Sequence, residues 1–221
     1  MTTGANYNAG FSTAVMTESF DVVASTTCQS LPDYPLEGLG ATGAFVNNKV
    51  VICGGTGGTN CYTLGRNEKT WTLIGNMIAY RAAAAAVAFN NKLVIFGGYD
   101  PDNNRLLSTE EIDVDTGTAT AGPDMPFING FHCAVKLDAK TALIIGGVTD
   151  DRTSTYFYDA NAKTFTSGPS LMQGRGEHAC AILDTGTERY VVASGGWLNG
   201  WFDSTEILDL NQPTLTWMTG L

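Results

Sequence analysis

Apolar residues along this chain are grouped in short runs, and the strongest run is written four times. Each copy ends in a pair of glycines and follows a polar stretch. The copies read "NNKVVICGG" (47–55), "NNKLVIFGG" (90–98), "KTALIIGG" (140–147) and "ERYVVASGG" (188–196). A run that is apolar on both faces is typical of a strand covered on both sides, and residues between the runs are polar. The pattern predicts four buried strands with turns after them.

Two more strands are predicted after each glycine pair. The first of these two strands has an aspartate at the same place in four copies, and Gly65 takes that place in the remaining copy. The segments are "TESFDV" (17–22), "CYTLGR" (61–66), "TEEIDV" (109–114), "TYFYDA" (155–160) and "TEILDL" (205–210). A tight turn then leads to a strand in which Trp71, Phe165 and Trp217 align, with Ala119 and Cys28 at the same place in the other copies. A third and outer strand in each copy follows from this pattern.

A fourth strand is predicted before each glycine run, in segments 40–48, 81–91, 130–138 and 176–184. The five alanines at 82–86 favour a helix by intrinsic propensity. Their register against the other three copies predicts a strand instead. Small residues also suit an innermost strand, where neighbouring sheets converge. Four strands in a unit of about 45–50 residues are typical of a β-propeller.

The glycine pairs, the aligned Trp and Phe, and "RGEH" (175–178) resemble the Kelch repeat family over the whole chain. The resemblance implies an all-β, Kelch-type propeller with four complete four-stranded blades and a partial N-terminal blade around a central channel. One propeller domain is expected over 1–221, as a fragment of a longer propeller, since Kelch propellers usually close with about six blades. The expected divisions are 1–36 for the partial blade and 37–77, 78–126, 127–172 and 173–221 for the complete blades.

Charge and composition narrow the classes of partner. The net charge is −10 with no Lys/Arg cluster, which disfavours nucleic acid and anionic membranes. No apolar stretch reaches the length of a membrane span, and the first ten residues lack the features of a signal peptide. We therefore expect no nucleic-acid partner and no membrane insertion.

The cysteines do not have the spacing of metal ligands, and we expect most of them to be buried. A Cys53–Cys61 disulfide would close a short loop in an oxidising compartment. The chain has no N-glycosylation sequon, which slightly favours the cytoplasm over secretion, and the compartment stays open. The cysteines lie at positions 28, 53, 61, 133 and 180.

No catalytic set stands out among the residues. His132 and His178 occupy the same place in two copies of one strand, so we expect structural roles rather than complementary acid and base roles. No nucleophile, metal cluster or phosphate-binding loop can be assigned. The sequence predicts no enzyme, no cofactor and no metal.

The loops that differ between copies are the expected site of function, because the repeats fix the scaffold. By resemblance to Kelch propellers, they cluster on one face around the channel. We expect a protein or peptide partner there, with aromatic anchors and arginines that pair with acidic groups. Alternatives are a secreted carbohydrate-binding module, or a propeller enzyme such as an oxidase, sialidase or epimerase. The candidate residues are Trp197, Trp201, Phe202, Tyr99, Arg105, Arg152, Tyr80, Arg81, Phe127 and Arg175.

Overall fold

A computed structural model describes residues 20–21, 26–27, 31–149 and 151–220. Within these ranges the secondary structure is β-strand, and no helix is long and apolar enough to cross a membrane. The strands form four four-stranded antiparallel sheets and one two-stranded sheet. This confirms the predicted all-β propeller with four complete blades and a partial N-terminal one. Cys28 and the segment before residue 20 lie outside the described residues.

The strands follow one another in a simple meander, and each blade uses four consecutive strands. The partial blade contains β1 (Phe20–Asp21) and β2 (Thr26–Thr27). Blade 1 contains β3 (Thr42–Val46), β4 (Lys49–Cys53), β5 (Asn60–Gly65) and β6 (Thr72–Asn76). Blade 2 contains β7 (Ala85–Phe89), β8 (Lys92–Phe96), β9 (Thr109–Asp113) and β10 (Ala119–Ala121). Blade 3 contains β11 (Cys133–Lys136), β12 (Thr141–Ile145), β13 (Thr155–Asp159) and β14 (Thr164–Ser167). Blade 4 contains β15 (Ala179–Asp184), β16 (Arg189–Ser194), β17 (Thr205–Asp209) and β18 (Trp217–Thr219).

The first strand of each blade is the innermost one. Strand β7 contacts both β3 and β11, and β11 contacts β15, so the four first strands lie side by side around one axis. The alanine run joins this inner layer, as predicted, but the strand begins only at Ala85. Ala83, two residues earlier, has a positive φ of 52°, which ends any regular strand there.

The second strand of each blade is buried on both faces because blades pack against each other. In β8, Leu93 and Ile95 face a cluster that includes Val51 of blade 1. Val94 and Phe96, on the opposite face, belong to a cluster with residues of blade 3. Burial of each such side chain stabilises the fold by about 1.5–3 kcal/mol. This two-sided contact explains the uninterrupted apolar runs in the sequence.

The aligned outer aromatics cover the edges of these clusters. Trp71 and Trp217 are buried, and each indole nitrogen donates to the carbonyl of a proline, Pro32 at 3.1 Å and Pro169 at 3.0 Å. A buried indole N–H requires such an acceptor. The same contact at two equivalent places shows that the aromatic position has a structural role in the blade.

The glycine pairs join each blade to the next. Gly98 donates its backbone N–H to the carbonyl of Asn129 at 2.8 Å, and Gly147 donates to that of Arg175 at 2.8 Å. Gly98 has φ +97°, and a Cβ there would lie 2.8 Å from the carbonyl oxygen of Ala82. Only glycine combines this backbone conformation with this close approach at low cost.

Candidate functional site

One position, repeated in all four blades, forms an inner ring at the mouth of the channel. The backbone N–H of Ala83 donates to the carbonyl of Gly40 (2.8 Å), that of Phe131 to Ala83 (2.9 Å), and that of Glu177 to Phe131 (2.9 Å). All four have positive φ, between 52° and 68°. Such conformations are costly for residues other than glycine and persist where the surrounding structure enforces them. Here the blade-to-blade hydrogen bonds do so.

A second tier of residues lies beside this ring. Each directly follows a glycine pair: Thr56, Tyr99, Val148 and Trp197. Tyr99 exchanges backbone hydrogen bonds with Ala82 at 2.8 and 3.0 Å, and Trp197 does so with Gly176 at 2.8 and 3.2 Å. These contacts fix the start of each variable loop next to the inner ring.

The two tiers and the loop tips enclose a cavity of about 660 Å³. Its volume is in the range of small-molecule sites, which are mostly apolar with a few polar groups. Four aromatic rings contribute to its walls, and Trp201 is the most exposed of them, with 71% of its surface accessible. The lining residues are Leu39, Gly40, Thr56, Ala82, Ala83, Tyr99, Asn103, Phe131, Glu177, Trp197 and Trp201.

Polar groups are concentrated near Tyr99. Burial raises the pKa of its phenol, and the charge of Glu177 acts in the same direction, while Arg105 and Arg152 oppose the shift. The phenol therefore stays protonated at neutral pH and can donate a hydrogen bond. Glu177 is exposed and is one of the residues that line the cavity.

The two arginines are held by their neighbours. Arg105 donates from Nη1 to the carbonyl of Val148 at 2.7 Å, which connects the loops of blades 2 and 3. The guanidinium of Arg152 lies over the Trp197 ring, 5.2 Å from its centroid, and its Nη1 is buried without a hydrogen-bond partner. Both place positive charge close to Tyr99 on one side of the cavity.

The structure brings together part of the predicted set. Tyr99, Trp197 and Trp201 line the cavity, and Arg105 and Arg152 lie beside it. Phe202 packs over the Arg175 guanidinium (5.7 Å), and Phe127 stacks on Tyr156 (4.5 Å between centroids). Neither of these two residues lines the cavity, and Tyr80, which is half-buried, does not line it either.

Arg81 and Arg175 require a correction. Both are buried, and each pairs with an internal glutamate: Arg81 Nε with Glu110 Oε1 (2.5 Å), and Arg175 Nη2 with Glu206 Oε1 (2.9 Å). Each also donates to backbone carbonyls, Arg81 to that of Gly97 and Arg175 to that of Gly195. The expectation that they pair with a partner's acidic groups is wrong, because these groups are already engaged inside the fold.

Sequence reasoning missed the inner ring. Glu177 lies within the "RGEH" segment that resembles the Kelch signature, and the sequence around Phe131 contains no motif that indicates a site. The available signal was the variation among copies: the same position holds Gly40, Ala83, Phe131 and Glu177. A position that is structurally repeated but chemically different in every copy indicates a functional surface.

The two histidines are buried between blades. Burial lowers the pKa of His132 to about 3, with a further contribution from His178. Burial also lowers the pKa of His178 to about 4, with Arg175 adding to the effect. Both imidazoles are neutral at physiological pH. Among the described residues no group of three or more His, Cys, Asp or Glu could hold a metal.

Two disulfides are present in the described residues. Cys53 and Cys61 are bonded directly opposite each other on β4 and β5, as the sequence suggested. The second bond, Cys133–Cys180, was not anticipated because 47 positions separate its cysteines. It joins the inner strands of blades 3 and 4. His178 Nε2 lies 3.2 Å from the Cys133 sulfur.

Comparisons with known proteins agree with this architecture. The Kelch motif model matches residues 80–126. The solved structure of YjhT superposes with a TM-score of 0.74 at 17% sequence identity, covering 86% of this chain and 67% of that chain. Repeats, blades and motif together define a propeller built from Kelch repeats. The chain has the fold of a Kelch-type β-propeller and contains a Kelch motif at residues 80–126.

Curated relatives are enzymes by name. The chain is 30% identical over 154 residues to N-acetylneuraminate epimerase of Salmonella arizonae, and 31% identical over 155 residues to that of Salmonella typhi. Each alignment covers 65% of this chain and 40% of the relative. The chain thus spans about two fifths of the length of these relatives. The expectation that the chain is not an enzyme is contradicted by this finding.

Proposed function

We propose that this chain forms the substrate pocket of an epimerase acting on an acidic sugar of the N-acetylneuraminate type. One observation carries the proposal: Glu177 lines an aromatic-walled cavity, in a chain similar to enzymes named N-acetylneuraminate epimerase. Within the described part of the chain, Glu177 is the only acidic residue that lines this cavity.

The polar groups of the pocket suit the chemistry of such a sugar. N-acetylneuraminate has a carboxylate, an N-acetyl group and several hydroxyls. Arginine binds carboxylates through parallel N–H donors, so Arg105 and Arg152 supply the complementary charge beside Tyr99. The aromatic rings offer flat apolar faces to the C–H face of a sugar ring, and Trp201 is exposed at the rim to receive it.

At the hemiketal carbon of such a sugar, epimerisation breaks the bond to the ring oxygen and re-forms it on the other face. A base must accept the proton of the anomeric hydroxyl while an acid gives a proton to the ring oxygen, and both transfers reverse when the ring closes. Glu177 is the proposed base, and its backbone N–H donates to the Phe131 carbonyl at 2.9 Å. Tyr99, which stays protonated, is the complementary hydrogen-bond donor.

The test measures binding and exchange with N-acetylneuraminate. Titration calorimetry should detect binding to the purified protein, and NMR exchange spectroscopy should show faster interconversion of the two epimers than in buffer. Glu177→Gln should abolish the exchange and retain binding. Trp201→Ala should weaken binding about tenfold, whereas Met218→Ala, an exposed apolar residue of β18 outside the cavity, should leave it unchanged. Binding without any Glu177-dependent exchange would contradict the epimerase role.

Recognition of a protein or peptide segment is a second candidate for the same face. The exposure of Trp201 beside Trp197 favours it, since exposed tryptophans are enriched at interaction hot spots. A partner isolated by affinity purification should be lost with Trp197→Ala plus Trp201→Ala and retained with Met218→Ala. Retention with the double variant would exclude this face.

A further inference from the structure

The cavity is asymmetric in the size of its side chains. The inner-ring positions of blades 1 and 2 hold Gly40 and Ala83, whereas those of blades 3 and 4 hold Phe131 and Glu177. Leu39 and Ala82 precede the two small residues and also line the cavity. The small side chains leave a recess on this side, which we call the apolar recess: Leu39, Gly40, Ala82 and Ala83.

The apolar recess offers no side-chain hydrogen-bond partner. Its four residues are aliphatic or glycine. The neighbouring polar residue, Thr56, uses its hydroxyl oxygen to accept from the Leu39 backbone N–H at 2.8 Å. The Ala83 N–H is engaged with the Gly40 carbonyl, and the Ala82 N–H with that of Tyr99. A ligand group placed here would meet carbon atoms and lose its hydrogen bonds to water.

We infer that the apolar recess receives the acyl group on the amino nitrogen of the sugar, and that Ala83 determines which acyl groups are accepted. This inference rests on the proposed function and specifies the substrate at the same site. The carboxylate of the sugar would lie toward Arg105 and Arg152, near Tyr99. The acyl group is the apolar substituent that suits a recess without polar partners. Each additional buried methylene should improve affinity about fourfold.

The residues at equivalent positions in the other blades indicate which substitutions at Ala83 are compatible with its backbone conformation. Ala83 has φ 52°, Phe131 has φ 54° and Glu177 has φ 57°, so a larger or polar side chain is already accommodated at equivalent positions. Ala83→Phe copies the residue of blade 3 into blade 2 and fills the recess. Ala83→Ser adds a hydroxyl at nearly constant volume. Met218→Ala, at an exposed residue of β18 outside the cavity, is the control.

The experiment compares N-acetyl-, N-propanoyl- and N-glycolylneuraminate by titration calorimetry. The propanoyl and glycolyl groups have nearly the same shape, but glycolyl ends in a hydroxyl. The wild-type protein should bind the propanoyl compound about tenfold more tightly than the glycolyl compound. Ala83→Ser should reduce this preference at least threefold, Ala83→Phe should weaken both the acetyl and propanoyl compounds at least tenfold, and Met218→Ala should preserve the preference.

The outcomes separate the two proposals. If N-acetylneuraminate binds and is epimerised, but propanoyl and glycolyl compounds bind equally in every variant, the recess assignment is overturned and the proposed function stands. If none of the three compounds binds the folded wild-type protein, both proposals fail. Circular dichroism of each variant shows whether the sheet is intact, and the Ala83→Ser preference remains decisive if Ala83→Phe does not fold.

Discussion

Arg175 Nη2 lies 2.9 Å from Glu206 Oε1 in the interior of blade 4, and both side chains are almost completely buried. Glu206 also accepts from the backbone N–H groups of Met172 and Gln173, at 2.7 and 3.1 Å. The ion pair therefore fixes the segment that enters the blade. Blade 2 repeats the arrangement, with Glu110 accepting from Ile78 and Ala79.

Removing one partner of this pair should be strongly destabilising. Arg175→Met leaves Glu206 buried without its counter-charge, and we expect a loss of about 3–5 kcal/mol in the free energy of unfolding. Urea denaturation measures it. Lys49→Met, which breaks the exposed pair with Glu68, is the control and should change stability little. Similar losses in the free energy of unfolding for both variants would show that burial does not determine how much the Arg175 pair contributes to stability.

Stability should fall between neutral pH and pH 5 because of the buried histidines. Their folded pKa values, about 3 and about 4, lie below the unfolded value of about 6.5, so only the unfolded chain takes up protons in this window. Each histidine should therefore cost about 2 kcal/mol at pH 5 relative to pH 7.5. This loss of stability is absent above the pKa of the unfolded chain and grows as the pH falls toward the pKa values of the folded protein.

The double variant His132→Ala plus His178→Ala tests this origin. Blades 1 and 2 have Ala41 and Ala84 at the same position, so the substitution copies an existing arrangement. Its stability at pH 7.5 should decrease because cavities form, but the difference between pH 7.5 and pH 5 should shrink. An unchanged difference would assign the pH dependence to other groups.

The two disulfides should contribute unequally. In the chain-entropy model, the 47-residue separation of Cys133–Cys180 corresponds to about 4 kcal/mol, and the 8-residue separation of Cys53–Cys61 to about 2.5 kcal/mol. Replacing each pair with alanines and measuring urea denaturation gives the comparison. A larger loss on removing Cys53–Cys61 would show that the loop length is not the main factor.

The second glycine of a pair should be intolerant of a side chain because backbone of the same blade lies against it. Gly98→Ala places a Cβ against the Ala82 carbonyl, whereas Gly186, also at positive φ (+86°), has nothing within 4 Å of its Cβ position. Both variants incur backbone strain, and the contact should cost Gly98→Ala about 1–3 kcal/mol more. Equal losses of stability, measured by thermal unfolding, would show that the positive φ alone explains why all four repeats have glycine at this position.

The sequence predicted the fold well because the structural rules act within each repeat. The aligned Asp159, for example, accepts from the backbone N–H groups of Asn161 and Ala162, at 2.8 Å each, and so forms the turn that separates two strands. Where Gly65 replaces the aspartate, its own N–H instead donates to Glu68 at 2.7 Å. Such local hydrogen bonds follow from residue spacing alone.

The site was harder to predict because it depends on contacts between blades. Glu177 and Phe131 are 46 positions apart and become neighbours only through the ring hydrogen bond. Arg81 was placed on the surface for a different reason: its partner Glu110 lies in the same blade but 29 positions away, so the sequence gives no local sign of the buried ion pair. The sequence predicted no enzyme because Glu177, the base of the proposed epimerisation, has no local motif that marks it.

Backbone hydrogen bonds link the inner-ring residues of successive blades. Ala83, Phe131 and Glu177 are bound to their predecessors through N–H and C=O groups, so the positions of their side chains do not depend on what those side chains are. In such a propeller the backbone that positions the side chains does not depend on the side chains that contact a ligand. New ligand specificities can arise by exchanging single residues around the channel mouth, while the frame that positions them is inherited unchanged.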